Sequence, residues 1–309
     1  MIPNLPLHVV SSLHHPNILP FLGFAIDMEH VTLVLELADK GDLFDYSYKH
    51  CTTEVDRARL FHQVYPSILS AVSYLEALQI AHRDIKPENI LLKTTKTCGS
   101  DRSVSSGGTI QPQLCDFGWS VWYLKSGSRQ STLCGTPEYV PPELLVENAP
   151  TASTTSRRSY AAEYVDPWAL GVLALEVLRG QTVFGAPTDC PAPQIRTVIY
   201  SKICAFDGLD DWLRQDLNHV AISAANHGGI LPRTALETWK RSRHSPYVSL
   251  IEDFMQPNPC HRLSATECMN RYADLFGRVN LPLPPRPTVR QRRQIFQNKS
   301  CAVSSSMLL

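Results

Sequence analysis

Residues 82–89 read HRDIKPEN, and 27 residues beyond Asn89 the stretch CDFGWS supplies Asp116. A carboxylate, an ammonium and an amide within eight residues, answered by a second carboxylate further on, require a fold that brings two separate segments to one place. The chemistry this set suits is transfer of a phosphoryl group. That reaction needs a base beside the acceptor hydroxyl, a cation against the developing phosphate charge, and oxygen ligands for Mg²⁺. Asp84 can accept the hydroxyl proton, Lys86 can sit against the transferred phosphate, and Asn89 can ligate one metal ion. Asp116 can bridge Mg²⁺ to the nucleotide phosphates. Each piece alone says little, since His-Arg-Asp is common and Asp-Phe-Gly is usually a turn. Their order, with GTPEYVPPE following at 135–143, makes coincidence untenable.

Composition bounds the rest. At 309 residues and 43% hydrophobic, the chain can build one large domain or two modest ones. Lys plus Arg and Asp plus Glu both total 29, so the net charge is zero, which argues against nucleic acid as a partner. Nine cysteines occur without a CxxC pair, so neither a zinc site nor a disulfide scaffold is indicated. Reduced thiols in an intracellular protein, cytoplasmic and/or nuclear, are expected. The opening MIPNLPLHVVSSLHH is not a signal peptide, and no stretch approaches the roughly 20 apolar residues of a membrane helix. The cysteine of the terminal CAVSSSMLL stands too far from the end for a prenylation box. No membrane partner is expected.

Along the chain, VTLVLEL at 31–37 reads as a buried strand, and ILPFLGFAI at 18–26 as another that Gly23 weakens. Apolar residues from Leu60 to Leu78 fall at spacings of three and four, which predicts a helix over 54–80 that Pro66 kinks. DPWALGVLALEVLR at 166–179 predicts a helix buried nearly all round, with Asp166 as N-cap and Pro167 in the first turn. Three stretches read as solvated surface insertions: near 93–111, at 148–159, and within 207–246. The proline-rich and then basic end, LPLPPRPTVRQRRQ from 281, reads as a tail outside the fold. A docking or nuclear-import role for Arg290, Arg292 and Arg293 ranks below a plain solvated tail.

From about His15 to Ala273 the chain resembles the eukaryotic protein kinases. Lys86 within HRDIKPEN is the serine/threonine form, and DFGWSV followed by SRQSTLCGTPEYVPPE looks most like the Aurora kinases. The resemblance implies an α+β, protein-kinase-like fold: a small-lobe remnant and hinge at 1–38, a mainly helical large lobe at 39–276, and a tail at 277–309. It implies ATP and Mg²⁺ as cofactors and protein Ser/Thr hydroxyls as substrates. Carried over by position, Leu35 becomes the gatekeeper, the backbone of Glu36 and Ala38 contacts adenine, and Leu91 lies beneath the ring. Thr132 becomes the activation-loop phosphorylation site, whose phosphate Arg83 would bind. Thr136 would bond Asp84 and Lys86, Glu143 and Arg262 would form the large-lobe ion pair, and Asp166 and Trp168 open the central helix. Cys115 and Cys134 read as plain small apolar residues.

The family's small-lobe devices do not appear. No GxGxxG occurs before Asp84, and the only lysines there, Lys40 and Lys49, follow the hinge. The family's helix glutamate would fall near Pro6. The strands that remain are expected to have an open edge and an uncovered apolar face, which points either to an incomplete version of a longer kinase or to an activating partner that covers the edge. Two readings stay open: a serine/threonine protein kinase, favoured by the retained metal ligands, and a non-catalytic kinase-like binding module, favoured by the missing lysine and glycine loop.

Overall fold

A computed structural model describes residues 10–27, 30–95, 109–123, 129–146, 159–227, 229–242 and 245–276. Pro6, most of the first two expected insertions and the tail lie outside those residues.

Two antiparallel strands, β1 (Phe21–Ile26) and β2 (Val31–Leu35), form a hairpin ahead of a helical body. The sequence reading of 31–37 as a buried strand is overturned: the strand stops at Leu35, and Leu33, Val34 and Leu35 are 38–48% exposed. A continuous apolar run marks a strand buried on both faces only when both faces are covered. Here β1 and β2 pair only with each other among the described residues. Ile18 does not extend β1. It bridges to Leu114, and the Leu19 N–H donates to the Leu114 carbonyl at 2.9 Å, fastening the hairpin to the body.

The body starts with α1 (Leu43–His50) and α2 (Glu54–Ala77). Thr53 caps α2 in a reciprocal capping box with Asp56. The spacing of three and four turns Leu60, Phe61, Val64, Ile68, Leu69, Val72 and Leu75 inward, all buried. The helix runs on through Pro66, which lacks the N–H that would reach the His62 carbonyl, and which is itself buried. A two-residue strand β3 (Ile80–Ala81) leads into the HRD loop. Then β4 (Ile90–Thr95) and β5 (Thr109–Leu114) form a hairpin in register from Ile90↔Leu114 to Thr95↔Thr109. Both ends of the first expected insertion are therefore strand, and only its middle lies outside the described residues.

Short β6 (Val121–Trp122) pairs with β3, and β7 (Arg129–Gln130) pairs with β8 (Tyr160–Ala161). Between them lies α3 (Pro142–Val146). Helices α4 (Val165–Arg179), α5 (Ala192–Cys204), α6 (Asp211–Asn226), α7 (Arg233–Ser242), α8 (Pro246–Phe254) and α9 (Ala265–Arg271) complete the lobe. α4 is the centre. Every residue from Val165 to Leu178 is buried, and α2, α6 and α8 pack around it.

Two sequence expectations fail here. Asp166 does not cap α4, since the N-cap is Tyr164 with no side-chain bond. The Asp166 carboxylate turns back to the HRD loop instead. The stretch 207–246 is not a surface insertion: α6 and α7 lie within it, and Leu217, Val220, Ala221 and Ala224 of α6 are core residues. Their spacing of three, one and three is helical, and that periodicity outweighs the polar composition. No described helix is long and apolar enough to cross a membrane.

Candidate active site

The HRD loop hangs between β3 and β4, and α4 holds it from beneath. Asp166 Oδ2 and Oδ1 accept from the backbone N–H groups of His82 and Arg83 at 2.6 and 2.7 Å. Those two bonds are needed because Arg83 sits at φ 68°, outside the ordinary regions for a residue with a side chain. His82 is fully buried, with Nε2 3.0 Å from the Cys115 carbonyl and its ring edge-on to Phe117 at 4.8 Å. Burial pushes its imidazole pKa down and that of Asp166 up, and the Asp166 charge partly offsets the first. The histidine thereby ties the HRD loop to the DFG turn.

Asp84 is 5% exposed and receives bonds from two different segments. Asn89 Nδ2 donates to Asp84 Oδ2 and to its carbonyl, both at 2.8 Å. From the other side the Thr136 N–H and Oγ1 donate to Asp84 Oδ1 at 2.9 and 2.8 Å. Lys86 Nζ donates to Thr136 Oγ1 at 2.7 Å and lies 3.5 Å from Asp84 Oδ2. The base, the cation, the amide and the activation-segment threonine thus form one connected group. A carboxylate held by this many donors keeps one orientation, which is what a base for an incoming hydroxyl needs.

Asp116 begins the DFG turn in the left-handed region at φ 59°, its carboxylate accepting from the Gly118 N–H at 3.1 Å. It is exposed and lines a cavity of about 290 Å³ together with Val10, Leu19, Leu33, Leu35, Leu91, Cys115, Phe117 and Gly118. The cavity is apolar except at the Asp116 end. Leu35 and Leu91 face it, whereas Glu36 and Ala38 are not among its lining. The Glu36 N–H is already given to the Pro20 carbonyl at 3.0 Å. Its side chain turns away to Lys93, 2.5 Å, with Gln113 at 3.4 Å. Asp39 accepts from the N–H and hydroxyl of Thr94, both at 2.7 Å. The hinge is thereby stitched to β4, whose Leu91 floors the cavity. Burial pushes the Cys115 thiol up to about 12, so it is a protonated apolar wall.

The donor set fits the expected groups. An apolar cavity suits a heteroaromatic base, and the oxygens of Asp116 and Asn89 suit Mg²⁺. No cluster of three His, Cys, Asp or Glu side chains forms a metal cage among the described residues. An ion here would share its shell with phosphate oxygens and water.

Thr132 is exposed, and its carbonyl accepts from the Tyr160 hydroxyl at 2.8 Å. Arg83 donates to that same hydroxyl at 2.8 Å and to the Trp119 carbonyl at 2.7 Å. Arg262, 5% exposed, makes a two-pronged pair with Glu143 at 2.6 and 2.8 Å and lies 5.1 Å over the Trp168 ring. Tyr160, Lys93, Gln113, and the buried Tyr139–Glu176 pair were not singled out from sequence. Only the GTPEY context marked Tyr139.

Comparison with known proteins agrees with this geometry. A family model described as protein kinase domain matches residues 6–272. The chain is 36% identical over 180 residues to an Aurora kinase of Schizosaccharomyces pombe, covering 58% of this chain and 42% of that protein. It is 34% identical over 182 residues to Aurora kinase A-A of Xenopus laevis, covering 59% and 37%. It is 34% identical over 178 residues to the serine/threonine-protein kinase SAPK3 of Oryza sativa subsp. indica, covering 58% and 46%. In each case the match spans less than half of the relative's length.

Proposed function

The chain belongs to the protein kinase domain family, and we propose that it is an Aurora-like serine/threonine kinase that transfers the γ-phosphoryl group of ATP to protein Ser or Thr hydroxyls. The observation that carries this is the bonding of Asp84, which Asn89 and Thr136 hold from two sides with Lys86 adjoining. A binding module has no need of that arrangement.

In this reading the apolar cavity takes adenine between Leu35 and Leu91, and the Ala38 backbone and Glu36 carbonyl supply the hinge contacts. Asp116 and Asn89 would hold Mg²⁺, which neutralises phosphate charge when bound. Asp84 orients the substrate hydroxyl and accepts its proton as the oxygen attacks the γ-phosphorus. Lys86 balances charge on the transferred group. Thr136 keeps Asp84 and Lys86 in register, and a phosphate on Thr132 would add a strong acceptor for Arg83.

The hairpin supports a partner as well. Leu22, Phe24 and Ile26 of β1 are 64, 55 and 55% exposed, with Leu22 at the irregularity in register between Phe21 and Gly23. An activating protein that adds a strand there would pair with the open edge. The described residues hold no lysine ahead of the hinge, and the second reading is accordingly a kinase-like scaffold. Free thiols at all seven described cysteines accord with an intracellular setting, cytoplasm and/or nucleus.

The deciding experiment offers γ-labelled ATP with a mixture of Ser-, Thr- and Tyr-centred peptides to the purified chain. Label on Ser and Thr peptides that Asp84→Asn abolishes supports the kinase. No label from a chain that binds nucleotide supports the scaffold.

A further inference from the structure

We infer that Tyr160 is a positioning residue that latches the activation segment to the catalytic loop through its hydroxyl, without a phosphate on Thr132. The phenol oxygen is the meeting point of three groups. Arg83 Nη1 donates to it at 2.8 Å, it donates to the Thr132 carbonyl at 2.8 Å, and Cys134 Sγ lies 3.8 Å away. One hydroxyl thus joins the residue next to the base with the segment that carries Thr136.

The surroundings make the junction rigid. Tyr160 is 2% exposed, and β8, where it sits, is paired with β7, so the strand that carries it also holds the start of the segment at Arg129 and Gln130. Arg129 adds side-chain bonds to Ser159. Past Thr132 the chain presses on the catalytic loop itself. A Cβ at Gly135, φ 91°, would stand 2.5 Å from the Arg83 carbonyl oxygen, so only glycine permits that approach. The next residue is Thr136, bonded to Asp84. Burial pushes the Tyr160 phenol up to about 12, which keeps it a neutral donor at physiological pH.

Arg83 is half-buried, and the Tyr160 oxygen and the Trp119 carbonyl already accept from its guanidinium. A phosphate at Thr132 would therefore reinforce an order already present instead of creating it. The inference rests on the geometry alone. Only its phosphate arm draws on the reading of Thr132 as a phosphorylation site.

The test is amide hydrogen exchange over residues 130–136 in wild type, Tyr160→Phe, Arg83→Met and the double variant. Phenylalanine keeps the ring and its packing and removes only the oxygen. Expected is exchange roughly fivefold faster in Tyr160→Phe over 130–136, with α2 and α4 unchanged. The double variant should fall short of the sum of the two single effects, since the Arg83–Tyr160 bond is common to both. Equal exchange in wild type and Tyr160→Phe, or additive effects in the double variant, would overturn the latch. Phosphothreonine placed at 132 by codon suppression forms the second arm. Restored protection in Tyr160→Phe means that the phosphate takes over Arg83. Accelerated exchange without restoration keeps the latch and removes Thr132 from the proposed switch.

Discussion

Thr136 gives both its N–H and its hydroxyl to one oxygen of Asp84, at 2.9 and 2.8 Å, while the Lys86 ammonium donates to the same threonine oxygen at 2.7 Å. The threonine is a coupling piece between base and cation. Thr136→Val keeps the shape and removes the hydroxyl, leaving Lys86 without its acceptor there and Asp84 with one bond fewer. Peptide phosphorylation should fall by about 10²-fold, and Thr136→Ser should restore most of it. Steady-state rates on one peptide decide this, and a Val variant as active as wild type would contradict it.

Arg262 is held by both oxygens of Glu143, by the carbonyls of Tyr164, Gln256 and Pro257, and by the Trp168 face. With its side chain fully buried, Arg262→Met leaves Glu143 without its cation and takes a donor from three carbonyls. The expected loss is about 3–5 kcal/mol in urea unfolding, with Arg262→Lys intermediate. A loss under about 1 kcal/mol would mean that the pair is not part of the core.

His62 Nε2 lies 2.9 Å from the Tyr247 hydroxyl, and burial pushes its imidazole down to about 4. The sign follows from linkage. The unfolded chain takes up the proton near pH 6.5, the folded chain only near 4, so stability is lost as pH falls through that window and levels off below it. Glu176, pushed up to about 7 by burial, works oppositely, and its folded form gains as pH falls toward 4.5. Comparing variants isolates the histidine. Between pH 7.5 and 5, wild type should lose about 2 kcal/mol more than His62→Gln. Parallel losses in the two would refute the assignment.

The exposed apolar side chains of β1 have a physical consequence even without a partner. Replacing Leu22, Phe24 and Ile26 together by Ser, Thr and Thr should weaken hydrophobic-dye binding and reduce self-association. The urea midpoint should move little, because each of these residues is already more than half exposed. A wild-type chain that stays dye-silent and monodisperse at high concentration would contradict this.

How much of this was legible in the sequence depends on the distance of the partner. Asp84, Lys86 and Asn89 lie within one short loop, and the bond between Asn89 and Asp84 spans five residues. Asp166 was misread because a local rule, helix capping, outcompeted partners 83 and 84 residues earlier. Tyr160 meets Arg83 across 77 residues, and Glu36 meets Lys93 across 57, separations at which no periodicity or motif gives a signal. For α6, the polar Asp211, Arg214, Gln215, Asp216, Asn218 and His219 hid a sound apolar spacing. Residues 31–37 read as buried because an apolar run does not report whether anything covers it, whereas the lack of the family's small-lobe devices pointed to the uncovered face that is found.

The most direct measurement is calorimetric titration of Mg-ATP into the purified chain alongside Asp116→Asn. Micromolar binding in wild type, abolished by the substitution, is expected if the cavity under Leu35 and the Asp116 carboxylate hold the nucleotide. A well-folded chain that takes up no Mg-ATP would contradict that and leave the large lobe as a binding surface.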